Sequence, residues 1–178
     1  MTLQDLRTLC TDRRSIRWFS NKKLTKEDVL KLLDIAHLAP SVDNAQPWHF
    51  HIIFDQVLRD RLMEASCYGN FVSGAACFVV VTARHMDFTP SKQPVWNPKE
   101  IEYSCMAAID HLLLAATAAG LGTCFVSLHH GTAHEILDLD QKQIIVGGVM
   151  LGHLKEGEEH ATEEHNRKPL DNLVTIYS

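Results

Sequence analysis

The run Cys77-Phe78-Val79-Val80-Val81-Thr82-Ala83 constrains the fold more than any other stretch of the chain. It is rich in β-branched residues and continuously apolar. A strand with one wet face alternates polar and apolar positions, so a strand without alternation has to be covered on both faces. Such a strand belongs to a sheet with other elements packed on both of its faces. The remaining sequence supplies them. A helix is expected over Leu3–Cys10. A second runs from Thr25 to Leu38: Thr25 and Asp28 form a capping box, and Val29, Leu32, Leu33 and Ala36 recur at i, i+3, i+4 and i+7. Pro40 ends it. His49–Phe54 reads as a strand and Val57–Ser66 as a helix. Arg84–Asn97 holds two prolines, Trp96 and little periodicity, and reads as a loop. Pro98 suits the first turn of a helix reaching Ala119. Its stripe of Ile109, Leu112, Leu113 and Ala116 is joined by Ala107, Ala108, Ala115, Ala118 and Ala119, so burial on several sides is expected. Gly120 is a natural left-handed stop. Thr123–Val126 and Ile144–Leu151 read as strands, with a short helix over Thr132–Leu137 between them. Interleaved helices and strands give an α+β (mixed α/β) class around one mixed sheet.

With 178 residues, 46% of them hydrophobic, the chain is expected to form one domain over residues 1–178. Past Gly152 it turns polar and acidic, so 152–178 reads as a C-terminal arm with little core of its own. The net charge of −5 argues against a general nucleic-acid coat. That average hides an asymmetry. Arg7–Lys31 holds 8 basic and 3 acidic residues, and His134–Asn166 holds 2 basic and 8 acidic. An anion would therefore sit near the N-terminal third. Five widely spaced cysteines with no C-x-x-C pair fit a reducing compartment. The start MTLQDLRTLCTDRR has no apolar segment of the signal-peptide kind, and the apolar stretch Ala75–Ala83 is too short to span a bilayer. The expectation is a soluble cytoplasmic protein that binds neither membrane nor nucleic acid.

Four clusters carry potential chemistry. Arg13-Arg14-Ser15-Ile16-Arg17 offers three guanidinium forks and a hydroxyl, a set suited to phosphate; its bland reading is a solvated basic turn. In Ala39-Pro40-Ser41-Val42-Asp43-Asn44-Ala45-Gln46-Pro47-Trp48, prolines stiffen a loop whose amides suit the edge of a heterocycle. The bland reading is a helix-to-strand turn with Trp48 in the core. Gly120-Leu121-Gly122-Thr123-Cys124-Phe125 follows a helix and lacks a third glycine, so it is no dinucleotide loop and reads as a helix stop leading into a strand. Asn166-Arg167-Lys168-Pro169-Leu170 is a basic pair in an acidic arm, either a second phosphate contact or plain surface charge.

Together, in this order and spacing from Arg13 to Leu173, these clusters resemble the nitroreductase family of flavoenzymes. The resemblance implies a central mixed sheet flanked by helices, two subunits exchanging terminal segments, and FMN at the interface of a homodimer. It implies that Arg13, Arg14, Ser15 and Arg17 grip the FMN phosphate and ribityl chain. Pro40, Ser41, Val42 and Asn44 would line the isoalloxazine, usually from the partner chain, with Gln46 orienting that loop. Asn70 would bond the pyrimidine end, Cys124 and Phe125 would lie against the ring, and Arg167 with Lys168 would add late contacts to the phosphate. The implied activity is hydride transfer from NADH or NADPH through the flavin to a nitroaromatic, quinone or activated alkene by a ping-pong mechanism. The cofactor carries that chemistry, so no catalytic side chain is required. The chain is short for the family, with residues 84–97 the one stretch available as a lid. No ferredoxin-like cysteine cluster is present, so electrons come from a soluble donor or a separate protein.

Two other classes compete. A flavin-binding or storage protein would keep the phosphate grip without the reduction. A metal-dependent hydrolase would draw on the 11 histidines, above all His129, His130 and His134. The i, i+4 pair His130 and His134 has no glutamate between its members as H-E-x-x-H does, and surface histidines are the simpler reading.

Overall fold

The computed structural model describes residues 1–68, 71–84, 98–140, 142–157 and 167–177. In chain order the elements are α1 (Leu3–Asp12), α2 (Lys26–Ala36), a 3₁₀ turn (Val42–Asn44), β1 (Trp48–Ile53), α3 (Gln56–Glu64), β2 (Cys77–Arg84), α4 (Pro98–Ala118), β3 (Leu121–Val126), α5 (His130–Leu137), β4 (Gln143–His153) and a final 3₁₀ turn (Leu170–Asn172). The capping box expected at α2 is formed: the Thr25 hydroxyl accepts from the Asp28 N–H, and the Asp28 carboxylate accepts from the Thr25 N–H. That helix stops at Ala36, before Leu38, because the approach to Pro40 draws the chain into a turn. Gly120 adopts the left-handed conformation (φ 71°), and β3 starts at once behind it.

The four strands are ordered β1-β2-β4-β3 and pair antiparallel. Among the described residues parallel pairing enters at isolated bridges, Ser15 with Thr123 and Trp18 with Ser73. Strand β2 is buried on both faces, as its lack of alternation requires. Cys77, Val79, Val81 and Ala83 meet Val29, Leu32 and Leu33 of α2 and Ile109 and Leu112 of α4. Phe78 and Val80 point the other way, into a second core with Leu62 and Met63 of α3, Ala133 of α5, and Ile16 and Phe19. Helix α4 packs on α1, α2 and all four strands, yet Tyr103 and Met106 on its outer side are exposed. Residues 167–177 are exposed throughout. Among the described residues, no helix is long and apolar enough to cross a membrane. The loop expected over Arg84–Asn97 lies, apart from Arg84 at the end of β2, outside the described residues.

Candidate functional site

The basic cluster begins where α1 ends. Arg13 leaves the helix in an extended conformation, its N–H still donating to the Leu9 carbonyl. The chain then runs extended across one end of the sheet. Ser15 bridges to Thr123 on the edge strand β3, the Ile16 N–H donates to the Thr123 carbonyl at 2.8 Å, and Phe19 bridges to Leu154 just past β4. Ser73 clamps the segment from its other side, donating to the Arg17 carbonyl and accepting from the Phe19 N–H. Ile16 and Phe19 are buried, while Ser15, Arg17 and Trp18 are exposed and Arg13 and Arg14 half-buried.

So close an approach requires glycine beneath it. A Cβ on Gly122 would meet Ile16 at 3.0 Å and Leu154 at 2.9 Å, and one on Gly152 would meet the Phe19 ring at 2.9 Å. The second glycine of Gly120-Leu121-Gly122 is thus explained by packing, beyond the helix stop that Gly120 provides.

Among the described residues none of Arg13, Arg14 and Arg17 is ion-paired. The Arg17 guanidinium folds back toward the Ser15 carbonyl at 3.4 Å. Beside them the Thr123 hydroxyl is buried and has no hydrogen-bond partner among the described residues, a residue and a signal that sequence reasoning missed. The N-terminal basic run is also divided by the fold. Lys22, Lys23 and Lys26 line, with Arg59, a separate cavity of about 470 Å³ on the Gly74–Ala76 side of the segment.

The amide loop is held as a rigid unit. The Val42 N–H donates to the Ser104 hydroxyl at 3.1 Å, and that hydroxyl donates to the Glu100 carbonyl. The Gln46 N–H donates to the Ser41 hydroxyl at 3.0 Å, and Gln46 Nε2 donates to the Asn44 carbonyl. Asp43, Asn44 and Gln46 all have positive φ (44°, 57° and 48°). Such strain is of order 1 kcal/mol per residue and persists where the surroundings over-determine it, commonly at binding sites. Pro40, Asn44 and Gln46 are exposed, Ser41 and Val42 half-buried, and Trp48 packs against the core.

The two halves lie apart in one chain. The loop precedes β1 at the end where Trp48 faces Ala83 and Ala83 faces Ile144; the basic segment crosses the other end, at Gly152. From Ile144 to Gly152 is about 25 Å of strand. The structure therefore joins Arg13–Arg17 to Thr123 but not to Ser41–Gln46. On β3, Cys124 and Phe125 face opposite sides. Cys124 is buried in the α3–α5 core with its thiol pushed up by burial, a shift the Arg17 charge partly offsets. Phe125 lies against Gly147, where a Cβ would come within 2.6 Å of the ring. Arg167 and Lys168 are exposed, and Asn70 lies outside the described residues.

Among the described residues His129, His130 and His134 form no metal-holding cluster. His129 and His130 are exposed, and His134 is half-buried with Nδ1 lacking a hydrogen-bond partner among the described residues. Among those residues no three His, Cys, Asp or Glu side chains are grouped to hold a metal ion. His160 and His165 lie outside them.

Comparison with known proteins places this geometry. The model of the nitroreductase family matches residues 10–97 and 65–153. A protein of Archaeoglobus fulgidus provisionally assigned as NADH dehydrogenase/NAD(P)H nitroreductase is 32% identical over 151 residues, 81% of this chain and 82% of the relative. The 5,6-dimethylbenzimidazole synthase of Rhodospirillum rubrum is 29% identical over 178 residues, covering 87% of this chain and 83% of its own. A provisionally assigned nitroreductase of Desulfovibrio desulfuricans, crystallised in complex with FMN, superposes with a TM-score of 0.80 at 25% identity, over 99% of both chains. On a family match that spans most of its length and a fold shared over nearly all of it, the chain belongs to the nitroreductase family.

Proposed function

We propose that the chain is an FMN-dependent NAD(P)H oxidoreductase working as a homodimer, with a nitroaromatic, quinone or activated alkene as acceptor in a ping-pong cycle. The observation that carries this reading is that Arg13, Arg14 and Arg17, without an ion pair among the described residues, share one extended segment with Ser15, which bridges to Thr123, whose hydroxyl has no partner among those residues. The FMN phosphate is close to a dianion, and guanidinium forks with neutral hydroxyl donors are the donor set it takes. A buried hydroxyl without a partner costs about 1–3 kcal/mol, which a phosphate or ribityl oxygen would offset. The residues present fit the group.

Bound there, FMN supplies the hydride chemistry, accepting from reduced nicotinamide and giving to the acceptor. The chain's own residues bind and orient. Arg13, Arg14, Ser15 and Arg17 hold the phosphate, Arg167 and Lys168 of the arm add charge to it, and β3 at Cys124 and Phe125 offers main chain along the ring. Asn70 serves the pyrimidine end. Pro40, Ser41, Val42, Asn44 and Gln46 line the ring from the second copy, because within one chain they stand about 25 Å of strand away. Dimerisation also accounts for the exposed apolar side chains Leu30, Ile35 and Leu38 at α2 and Tyr103 and Met106 on α4. The five cysteines are free, as suits the cytoplasmic location we propose.

The test is the visible spectrum of the purified protein before and after anaerobic NADH or NADPH. A flavin band that bleaches supports the enzyme; one that stays oxidised favours a storage role or a protein-borne donor. A colourless protein that also refuses added FMN overturns the reading. Arg13→Ala with Arg17→Ala should strip the flavin and leave the fold. A double variant that keeps a full complement of FMN refutes the phosphate assignment.

A further inference from the structure

One chemically competent pair of side chains lies outside the residues proposed to bind the flavin. Cys67 and His129 are 62 residues apart in sequence, and the fold brings Sγ to 3.9 Å from Nδ1. The main chain fixes the approach. Ser66 bridges antiparallel to Leu128, the Cys67 N–H donates to the Ser127 carbonyl at 2.9 Å, and the His129 N–H donates to the Ala65 carbonyl at 2.8 Å. Both side chains are exposed. His129 stands at the N-cap of α5, but its ring makes no capping bond and is left to the thiol. With the ring proton on Nε2, Nδ1 accepts from Sγ–H.

The other thiols lack this setting. Cys77 and Cys105 are buried, and burial pushes both up to about 12. Cys124 is buried as well, so the sequence's most conspicuous thiol is a packing residue. Cys10 is exposed on α1, but its thiol has no hydrogen-bond partner among the described residues.

We propose that Cys67 is a modification site, a nucleophilic thiol with His129 as its base, that exchanges with low-molecular-weight disulfides. The thiol proton passes to Nδ1 as Sγ attacks one sulfur of the disulfide. A new Cys67 sulfur–sulfur bond forms, the original one breaks, and the released thiolate recovers the proton as a free thiol. Cys67 is oxidised, one half of the disulfide is reduced, and no other reactant is consumed.

The experiment treats the protein as purified with limiting glutathione disulfide at neutral pH, and quantifies the mixed disulfide at each cysteine by peptide mass spectrometry. N-acetylcysteine serves as a solution reference. Cys67 should exchange about a hundredfold faster than Cys10 and the reference thiol, the lower end of what a positioned base contributes. Cys77, Cys105 and Cys124 should stay unmodified. His129→Ala should slow Cys67 about a hundredfold, as should His129→Gln, which keeps a hydrogen-bonding side chain but cannot take the proton. The Gln variant carries the test if the Ala variant fails to fold. Exchange at Cys67 no faster than at the reference thiol, or unchanged by either His129 substitution, overturns the proposal. Neither outcome depends on whether the flavin is reduced by NADH or NADPH.

Discussion

Replacing three glycines by alanine separates close packing from backbone strain and from helix propensity. Gly74 has φ 78°, and a Cβ there would lie 2.7 Å from the Phe19 carbonyl oxygen, a main-chain atom with no rotamer to retreat into. The left-handed conformation costs alanine about 1 kcal/mol relative to glycine, and a forced main-chain shift adds about 1–3 kcal/mol. Gly74→Ala should therefore cost about 2–4 kcal/mol, a fall of roughly 6–12 °C in Tm for a chain of this size. Gly120 has φ 71° with nothing within 4 Å of the added atom. Only strain remains there, about 1 kcal/mol and roughly 3 °C. Gly131 sits in α5, also in open space and without a positive φ. Alanine there should stabilise by up to about 1 kcal/mol through helix propensity. Calorimetry of the three variants gives the order. A second readout ties Gly74 to the site: Ser73 holds both Arg17 and Phe19, so Gly74→Ala should also lower the flavin content on purification, while the other two variants keep theirs. A Gly74→Ala protein melting within about 2 °C of the parent, or below which Gly120→Ala falls, would refute the clamp.

The remaining predictions concern single side chains. His51 is half-buried with Nε2 3.0 Å from the Thr82 hydroxyl, and burial, with the neighbouring His49 charge, lowers its pKa to about 4. The unfolded chain thus takes up a proton that the folded one refuses. Stability should fall as pH drops from about 6.5 to about 4, by about 1–2 kcal/mol after allowance for solvent screening. His51→Gln should flatten that part of a denaturation-versus-pH series. Leu112→Ala, which empties a fully buried position between α4 and the sheet, should cost about 2–5 kcal/mol by urea denaturation without changing which cofactor is bound. Thr123→Val should leave the flavin-free protein as stable or up to about 1 kcal/mol more so, because it removes a buried hydroxyl that has no partner among the described residues. The same variant should bind FMN more weakly by fluorescence titration, and unchanged affinity would remove Thr123 from the site.

Much of the scaffold was legible because its signals are local. Cys77–Ala83 announces a doubly covered strand through missing alternation, Thr25 and Asp28 announce a helix start, and Gly120 announces a stop; each needs only a few neighbouring residues. What escaped depends on residues far apart in the chain. Gly122 is required by Ile16, and Thr123 stands out only once the fold buries its hydroxyl without a partner among the described residues. The 65–67 and 127–129 segments must cross before Cys67 can meet His129. The prolines and amides of the 40–47 loop mark it as stiff, and Asp43 and Asn44 tolerate the left-handed region. Gln46 has no such preference, so its positive φ comes from the bonds to Ser41 and Asn44.

The basic N-terminal third shows the same limit in its charges. A count along the chain treats Arg13 to Lys26 as one patch, because it has a single coordinate. The extended segment crossing the sheet end gives the patch two sides, arginines beside β3 and lysines around the cavity lined by Arg59. Position along the chain is also silent on how far apart motifs end. Arg17 and Pro40 are close in sequence, with α2 between them, and the sheet then separates their segments by about 25 Å of strand. The motif order is complete in one chain while the geometry is not, and that mismatch is itself the argument for two copies. On the proposed function, the arginine segment at one sheet end and the 40–47 loop at the other would form a single site only if another subunit brought its loop to this subunit's arginines. A monomeric variant that still held FMN as tightly as the parent would show that one chain closes the distance alone.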